Sequence, residues 1–152
     1  MESVTIKKQL LERCNEFVAT RHKKIKQTIT DIEESLLEES KNSSGDKHET
    51  GRAMLQIDRE NAGKQLLEIE KLVAILDRVN VLDSADYVRL GSIVRTGTSN
   101  YYISVSLGMV QVDGDSFLCV ALNSPIGAVL AGKRKGDQLV FHQQEMTILE
   151  VV

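Results

Sequence analysis

Two runs of apolar residues at heptad spacing constrain the fold of this chain more than any other feature. Leu11, Val18, Ile25 and Ile32 recur every seven residues, flanked by Leu10, Cys14, Ile29 and Leu36. Lys23, Lys24, Lys26, Glu33 and Glu34 fill the other face of the same pattern. A second run places Leu55, Ala62, Ile69 and Leu76 in register, with Leu66 and Val73 between them. Its alternating steps of three and four make a coiled-coil seam. The polar cluster Ser40-Lys41-Asn42-Ser43-Ser44-Gly45-Asp46 separates the runs and has the chemistry of a turn. The simplest solution is an antiparallel helical hairpin. Arms of about 35 residues would each span roughly 50 Å at 1.5 Å per residue, and such a hairpin has little to pack on except itself.

Near Asp83 the apolar period changes from helical to two. Tyr87-Val88-Arg89-Leu90 and Ser92-Ile93-Val94-Arg95 suggest a first strand region. Further strands are expected at 101–107, 109–112, 117–122, 138–142 and 146–152. Gly97-Thr98-Ser99-Asn100 and Asp113-Gly114-Asp115 supply turns. The expected organisation is α+β: residues 1–82 an antiparallel coiled-coil hairpin with an acidic tip, residues 83–152 a small, mostly antiparallel sheet domain.

Composition narrows the function classes. A net charge of −3 gives no global drive toward nucleic acid, so any such contact depends on local charge. Cys14 and Cys119 lie in regions of different character and read as two buried free thiols in a reducing compartment. The start Met1-Glu2-Ser3-Val4-Thr5-Ile6-Lys7-Lys8 lacks the apolar run of a signal peptide, and no stretch approaches membrane-spanning length. The expectation is a soluble, cytoplasmic monomer. His22, His48 and His142 show no metal-ligand spacing with the cysteines, and no nucleophile motif or phosphate-cradling glycine loop is present.

The segment Asn123-Ser124-Pro125-Ile126-Gly127 through Lys133-Arg134-Lys135-Gly136-Asp137 packs a helix start, a helix stop and a turn into a short span. Ser124 suits the N-cap and Pro125 the first helical position. Gly132 ends the helix, and Lys135-Gly136-Asp137 turns the chain into the next strand. Together with Gly45-Asp46-Lys47-His48-Glu49 at the hairpin turn, this segment resembles the Gre transcript-cleavage factors of bacterial RNA polymerase. The resemblance extends along the whole chain in length and layout, and it is strongest at these two places. It implies an FKBP-like sheet domain docked at the mouth of the polymerase secondary channel, with the hairpin reaching toward the catalytic centre. There the tip acids would help hold a second Mg²⁺, so that the polymerase cleaves its own backtracked transcript. Such a factor is an accessory and not an enzyme, with no cofactor of its own and Mg²⁺ shared with the polymerase. Where the family usually continues Asn-Ala-Glu-Tyr, this chain has Thr50-Gly51-Arg52-Ala53.

The candidate site residues each carry a plain reading beside the functional one. Asp46 and Glu49 at the start of a helix can form a capping box. The same spacing puts both carboxylates on one helix face, where they could take one hard cation of the kind oxygen ligands hold. Lys41, Lys47, Arg52, Arg59 and Lys64 are either a solvated face or contacts for the 3′ end of backtracked RNA. No aromatic is interleaved among them, so such contacts would follow the RNA backbone. Ser124 and Pro125 are explained as cap and first turn, and the resemblance adds polymerase docking. Two alternatives accompany the cleavage factor: a channel-binding regulator that inhibits without cleavage, and an FKBP-like prolyl isomerase with a coiled-coil adaptor. The second needs an aromatic-lined pocket, and the chain has no Trp and only three Tyr and three Phe.

Overall fold

A computed structural model describes residues 2–41 and 46–152, apart from the side chains of residues 46–48. The elements run α1 (Ser3–Lys41), α2 (Asp46–Asp77), β1 (Ile93–Thr96), β2 (Asn100–Ser104), β3 (Gly108–Val112), β4 (Asp115–Ala121), α3 (Pro125–Leu130), β5 (Gln138–Phe141) and β6 (Gln144–Val151). They form two compact units: Val18–Val73, and Met1–Phe17 together with Ala74–Val152. Among the described residues, no helix is long and apolar enough to cross a membrane.

The first of these units is the expected helical hairpin. Val18, Ile25 and Ile29 of α1 and Ala62 and Ile69 of α2 are buried, and Ile32, Leu36, Leu55, Leu66 and Val73 are half-buried along the same seam. Polar contacts across the seam fix its direction. His22 faces Glu70 at 3.9 Å, Arg59 pairs with Glu33 at 3.1 Å, and Arg52 donates to Ser40 Oγ at 2.5 Å. Moving along α1 from His22 to Glu33 to Ser40 moves the partner back along α2 by the same number of residues each time, so the arms are antiparallel without a slip.

The second unit is a six-stranded sheet in the order β3-β4-β2-β1-β6-β5. All six strands have an antiparallel neighbour, in the pairs β1–β2, β3–β4, β5–β6 and β1–β6, while β2 and β4 run parallel, with Tyr102 opposite Cys119. Both faces of the central strands are covered. On one, Val94, Tyr101, Ile103, Val120 and Ile148 pack with Ile126 and Leu130 of α3. On the other, Tyr102 and Phe117 are fully buried, and Cys14 Sγ of α1 lies 3.4 Å from Ser104 Oγ. Burial on two sides is why β2 and β4 carry near-continuous apolar runs in place of a clean alternation.

Several sequence expectations are corrected here. Residues 87–90 form no strand; Tyr87 makes one isolated bridge to Arg134, and Val88 exchanges bonds with Lys133 O and Gly132 N. The strand expected over 138–142 stops at Phe141, because His142 and Gln143 take φ of 51° and 67° and form the hairpin turn themselves. β2 opens at Asn100, and β6 starts earlier than expected, at Gln144. Leu11, read as a seam position, is half-buried, while Ile6, Leu10 and Cys14 are buried in the sheet unit. The stripe shifts there because the first turns of α1 pack into a different core from the rest of the helix.

Candidate functional site

Asp46 is the first residue of α2 and Glu49 follows one turn later. Residues 42–45, including Gly45 of the expected turn, lie outside the described residues, as do the side chains of Asp46, Lys47 and His48. Glu49 is exposed. Its carboxylate is of the donor type that Mg²⁺ takes, and a helix brings a residue three positions on to the same face. Asp46 and Glu49 would thus offer part of an oxygen ligand set and leave most of the octahedron to other donors. Among the described residues, no group of three or more His, Cys, Asp or Glu side chains converges on a metal position.

The cations near the tip divide by what they touch. Arg52 Nη1 donates to Leu36 O at 3.3 Å as well as to Ser40 Oγ, so it braces the distal hairpin. Arg59 Nε donates to Glu33 Oε1 at 3.1 Å. Lys41 and Lys64 are solvated, with loose same-helix partners in Glu38 at 4.0 Å and Glu60 at 3.8 Å. Arg52 and Arg59 are therefore turned onto α1, and Lys41 and Lys64 face water among the described side chains.

The loop entering α3 is tightly built. Ser124 has φ −73° and ψ 163°, and its Oγ accepts from Gly127 N at 3.1 Å while donating to Ala121 O at 2.6 Å. Pro125 follows as the first helical residue, where its missing N–H leaves nothing unsatisfied. Gly127 is buried, and a Cβ there would overlap the Ala121 carbonyl oxygen and lie 2.8 Å from Leu122 O. The glycine lets α3 lie directly on the end of β4. Leu122, Asn123 and Pro125 remain exposed on this ledge. Beyond α3, Gly132 takes φ +76° and closes the helix, and Arg134 pairs with Asp86 at 2.6 Å.

Two further features lie away from the tip and the docking loop. Cys14 and Cys119 are free, buried and hydrogen-bonded to one another, with Ser104 beside them. The bond to Cys14 and burial hold the Cys119 thiol well above its usual range. The second is a cleft of about 330 Å³ between the first turns of α1 and the segment after α2, into which Lys7, Arg78 and Arg89 project. Neither this cleft nor the groove at Thr98, Leu139 and Met146 has an aromatic lining, so neither offers the pocket a prolyl isomerase requires.

No protein-family model and no curated protein matches the chain. Among solved structures, one described as the transcription factor Gfh1 aligns over 98% of this chain and 92% of its own, with 22% sequence identity and a TM-score of 0.34. A superposition that loose carries no argument about activity, which must rest on the residues themselves.

Proposed function

We propose that this chain is a Gre-like elongation factor of bacterial RNA polymerase. Its hairpin enters the secondary channel and stimulates Mg²⁺-dependent cleavage of backtracked RNA. The observation that carries the reading is the helical hairpin whose second arm opens with Asp46-Lys47-His48-Glu49, directly after Gly45 in the sequence. Helix α2 has 32 residues, which at 1.5 Å each is about 48 Å of reach. The described arms stay paired from His22 and Glu70 to Ser40 and Arg52, giving a stiff rod that can carry a small group into a narrow channel. The Asn-Ser-Pro-Ile-Gly ledge supports docking, because its exposed Asn123 and Pro125, with Leu122 just before them, are held on a capped and closely packed loop.

In this reading Asp46 and Glu49 would hold the shared Mg²⁺, which supplies charge stabilisation and an activated water for phosphodiester hydrolysis. The polymerase provides the remaining ligands and the catalytic scaffold. Two carboxylates alone bind Mg²⁺ weakly, which suits a factor that should not carry the metal when free. Lys41 and Lys47 would lie along the extruded RNA 3′ end.

The test adds the chain, and its Asp46→Asn and Glu49→Gln variants, to stalled backtracked and to active elongation complexes. Shortened RNA with the native chain and at least a tenfold slower cleavage with either variant, at unchanged polymerase binding, is the expected outcome. Slowed nucleotide addition on the active complex without RNA shortening on the backtracked one would make the chain an inhibitor of the channel instead.

A further inference from the structure

The cleft beside Lys7 holds a charge arrangement that the hairpin and the docking loop do not use. Lys7 is only 4% exposed, and the one hydrogen bond its Nζ makes among the described residues goes to Asp83 O, at 3.0 Å. An ammonium has three N–H donors, and Lys7 lines the cleft with that one carbonyl as its hydrogen-bond partner among the described residues. Burial holds the Lys7 ammonium below the ordinary lysine range. The Arg89 guanidinium pushes it the same way, and Asp83 opposes. Arg78 stands exposed on the same cleft. A buried cation next to a second cation is costly unless an anion compensates it.

The charge count indicates which anion. Lys7, Arg78 and Arg89 face the cleft against the single carboxylate of Asp83, which leaves two positive charges. A carboxylate ligand would neutralise one of them, and a phosphate monoester carries nearly two negative charges at neutral pH. Guanidinium groups match phosphate oxygens two at a time, and a lysine serves as a point charge beside them. The neutral donors Asn80 and Ser84 line the same space, and a cleft of about 330 Å³ admits a phosphate together with part of what it is attached to.

We propose that this cleft binds the dianionic phosphate group of a small molecule, with Lys7 and Arg89 as the inner ligands and Arg78 at the mouth. The phosphate could be free or the terminal group of a nucleoside monophosphate. The site is independent of the tip acids and of polymerase cleavage, so it stands or falls separately.

The experiment is an amide NMR titration of the full chain at low ionic strength with three probes: inorganic phosphate, adenosine monophosphate and acetate. Phosphate or the nucleotide should give saturable shifts centred on Ser84, Gly91 and Ser92, while acetate at equal ionic strength gives none. Lys7→Met and Arg89→Gln should each weaken the affinity at least tenfold. Tighter binding of the nucleotide than of phosphate identifies a nucleotide site, and equal affinities identify a site for the phosphate group alone. The proposal is overturned by absence of a saturable shift, by equal shifts with acetate, which would mark a seat for a partner's carboxylate, or by unchanged affinity in either variant. The native shift map and the half-buried Arg89 variant keep the test open even if Lys7→Met fails to fold.

Discussion

Gly127→Ala is the substitution whose sign separates two physical accounts of α3. Helix propensity alone predicts a gain of about 1 kcal/mol, because alanine is the better helix former. The close approach of α3 to β4 predicts the opposite. The new methyl would overlap Ala121 O and sit 2.8 Å from Leu122 O and 2.9 Å from Leu122 C, where ordinary contact begins at 3.4 Å. All three are backbone atoms, so relief requires moving the helix or the end of β4 by about an ångström. That movement strains the bonds from Ser124 Oγ to Ala121 O and from Gly127 N to Ser124 Oγ, now 2.6 and 3.1 Å. Overpacking costs about 1–3 kcal/mol and the two bonds about 1 kcal/mol each, so the expected loss is about 3 kcal/mol. In a unit of this size that lowers the melting temperature by roughly 10 °C or more. Ser124→Ala, which removes the cap without a clash, should cost only about 1 kcal/mol. With no Trp in the chain, urea unfolding is best followed by the near-ultraviolet dichroism of buried Tyr101 and Tyr102 alongside the far-ultraviolet helix signal. A Gly127→Ala stability equal to or above that of the native chain would show that the contact yields cheaply, and the account of the glycine would be wrong.

Three further outcomes follow from described geometry. Gly63→Ala should stabilise the hairpin by up to about 1 kcal/mol in thermal melts, since its Cβ would meet only the flexible end of Arg59 at 3.1 Å. Gln143→Gly should add about 1 kcal/mol, read as a higher urea midpoint, because Gln143 holds φ 67° in the β5–β6 turn. Lys7→Met should change how stability varies with pH. The folded-state pKa of Lys7 lies below its unfolded value of 10.5, so the unfolded chain binds more protons between the two and native stability rises as pH climbs through that window. The variant lacks this rise, and its melting curves should lie above the native ones at pH 7 and converge with them toward pH 10.5; a constant gap across that range would refute the assignment.

The hairpin was legible because its signal is repetitive. Ala62, Ile69 and Leu76 were expected on one seam and are buried, as a heptad averages out any single ambiguous residue. α3 was legible from its punctuation, with Ser124, Pro125 and Gly132 at the positions their backbone chemistry favours. The parallel pairing of β2 with β4 was not legible, because apolar runs buried on both faces say nothing about which neighbour lies alongside. The β5–β6 turn was missed for a different reason. His142 and Gln143 adopt a conformation normally announced by glycine or asparagine, and the surrounding ladder holds them there. Lys7 gave no warning either, since burial of one lysine in Ile6-Lys7-Lys8 depends on the distant loop that carries Asp83 and Arg89. At the tip, the chemistry of Asp46 and Glu49 was visible as residue type and spacing, but the same pattern serves a helix cap, and no local rule separates the two uses.

The strand order β3-β4-β2-β1-β6-β5 also divides the sheet into cooperative opening units. Each of the pairs β1–β2, β3–β4 and β5–β6 is a local ribbon, and only two seams, β2–β4 and β1–β6, hold the three together. The β5–β6 ribbon is attached by backbone bonds along one edge alone, and that edge breaks register between Arg95 and Thr96. Beside those bonds it has the Arg95–Glu150 pair at 3.9 Å and the contact of Leu139, Met146 and Ile148 with the core under α3. This ribbon is therefore the natural first foldon to exchange its amide protons with solvent. Its opening would uncover the underside of α3, so that the sheet's weakest seam sets how long the Ser124 ledge keeps its shape.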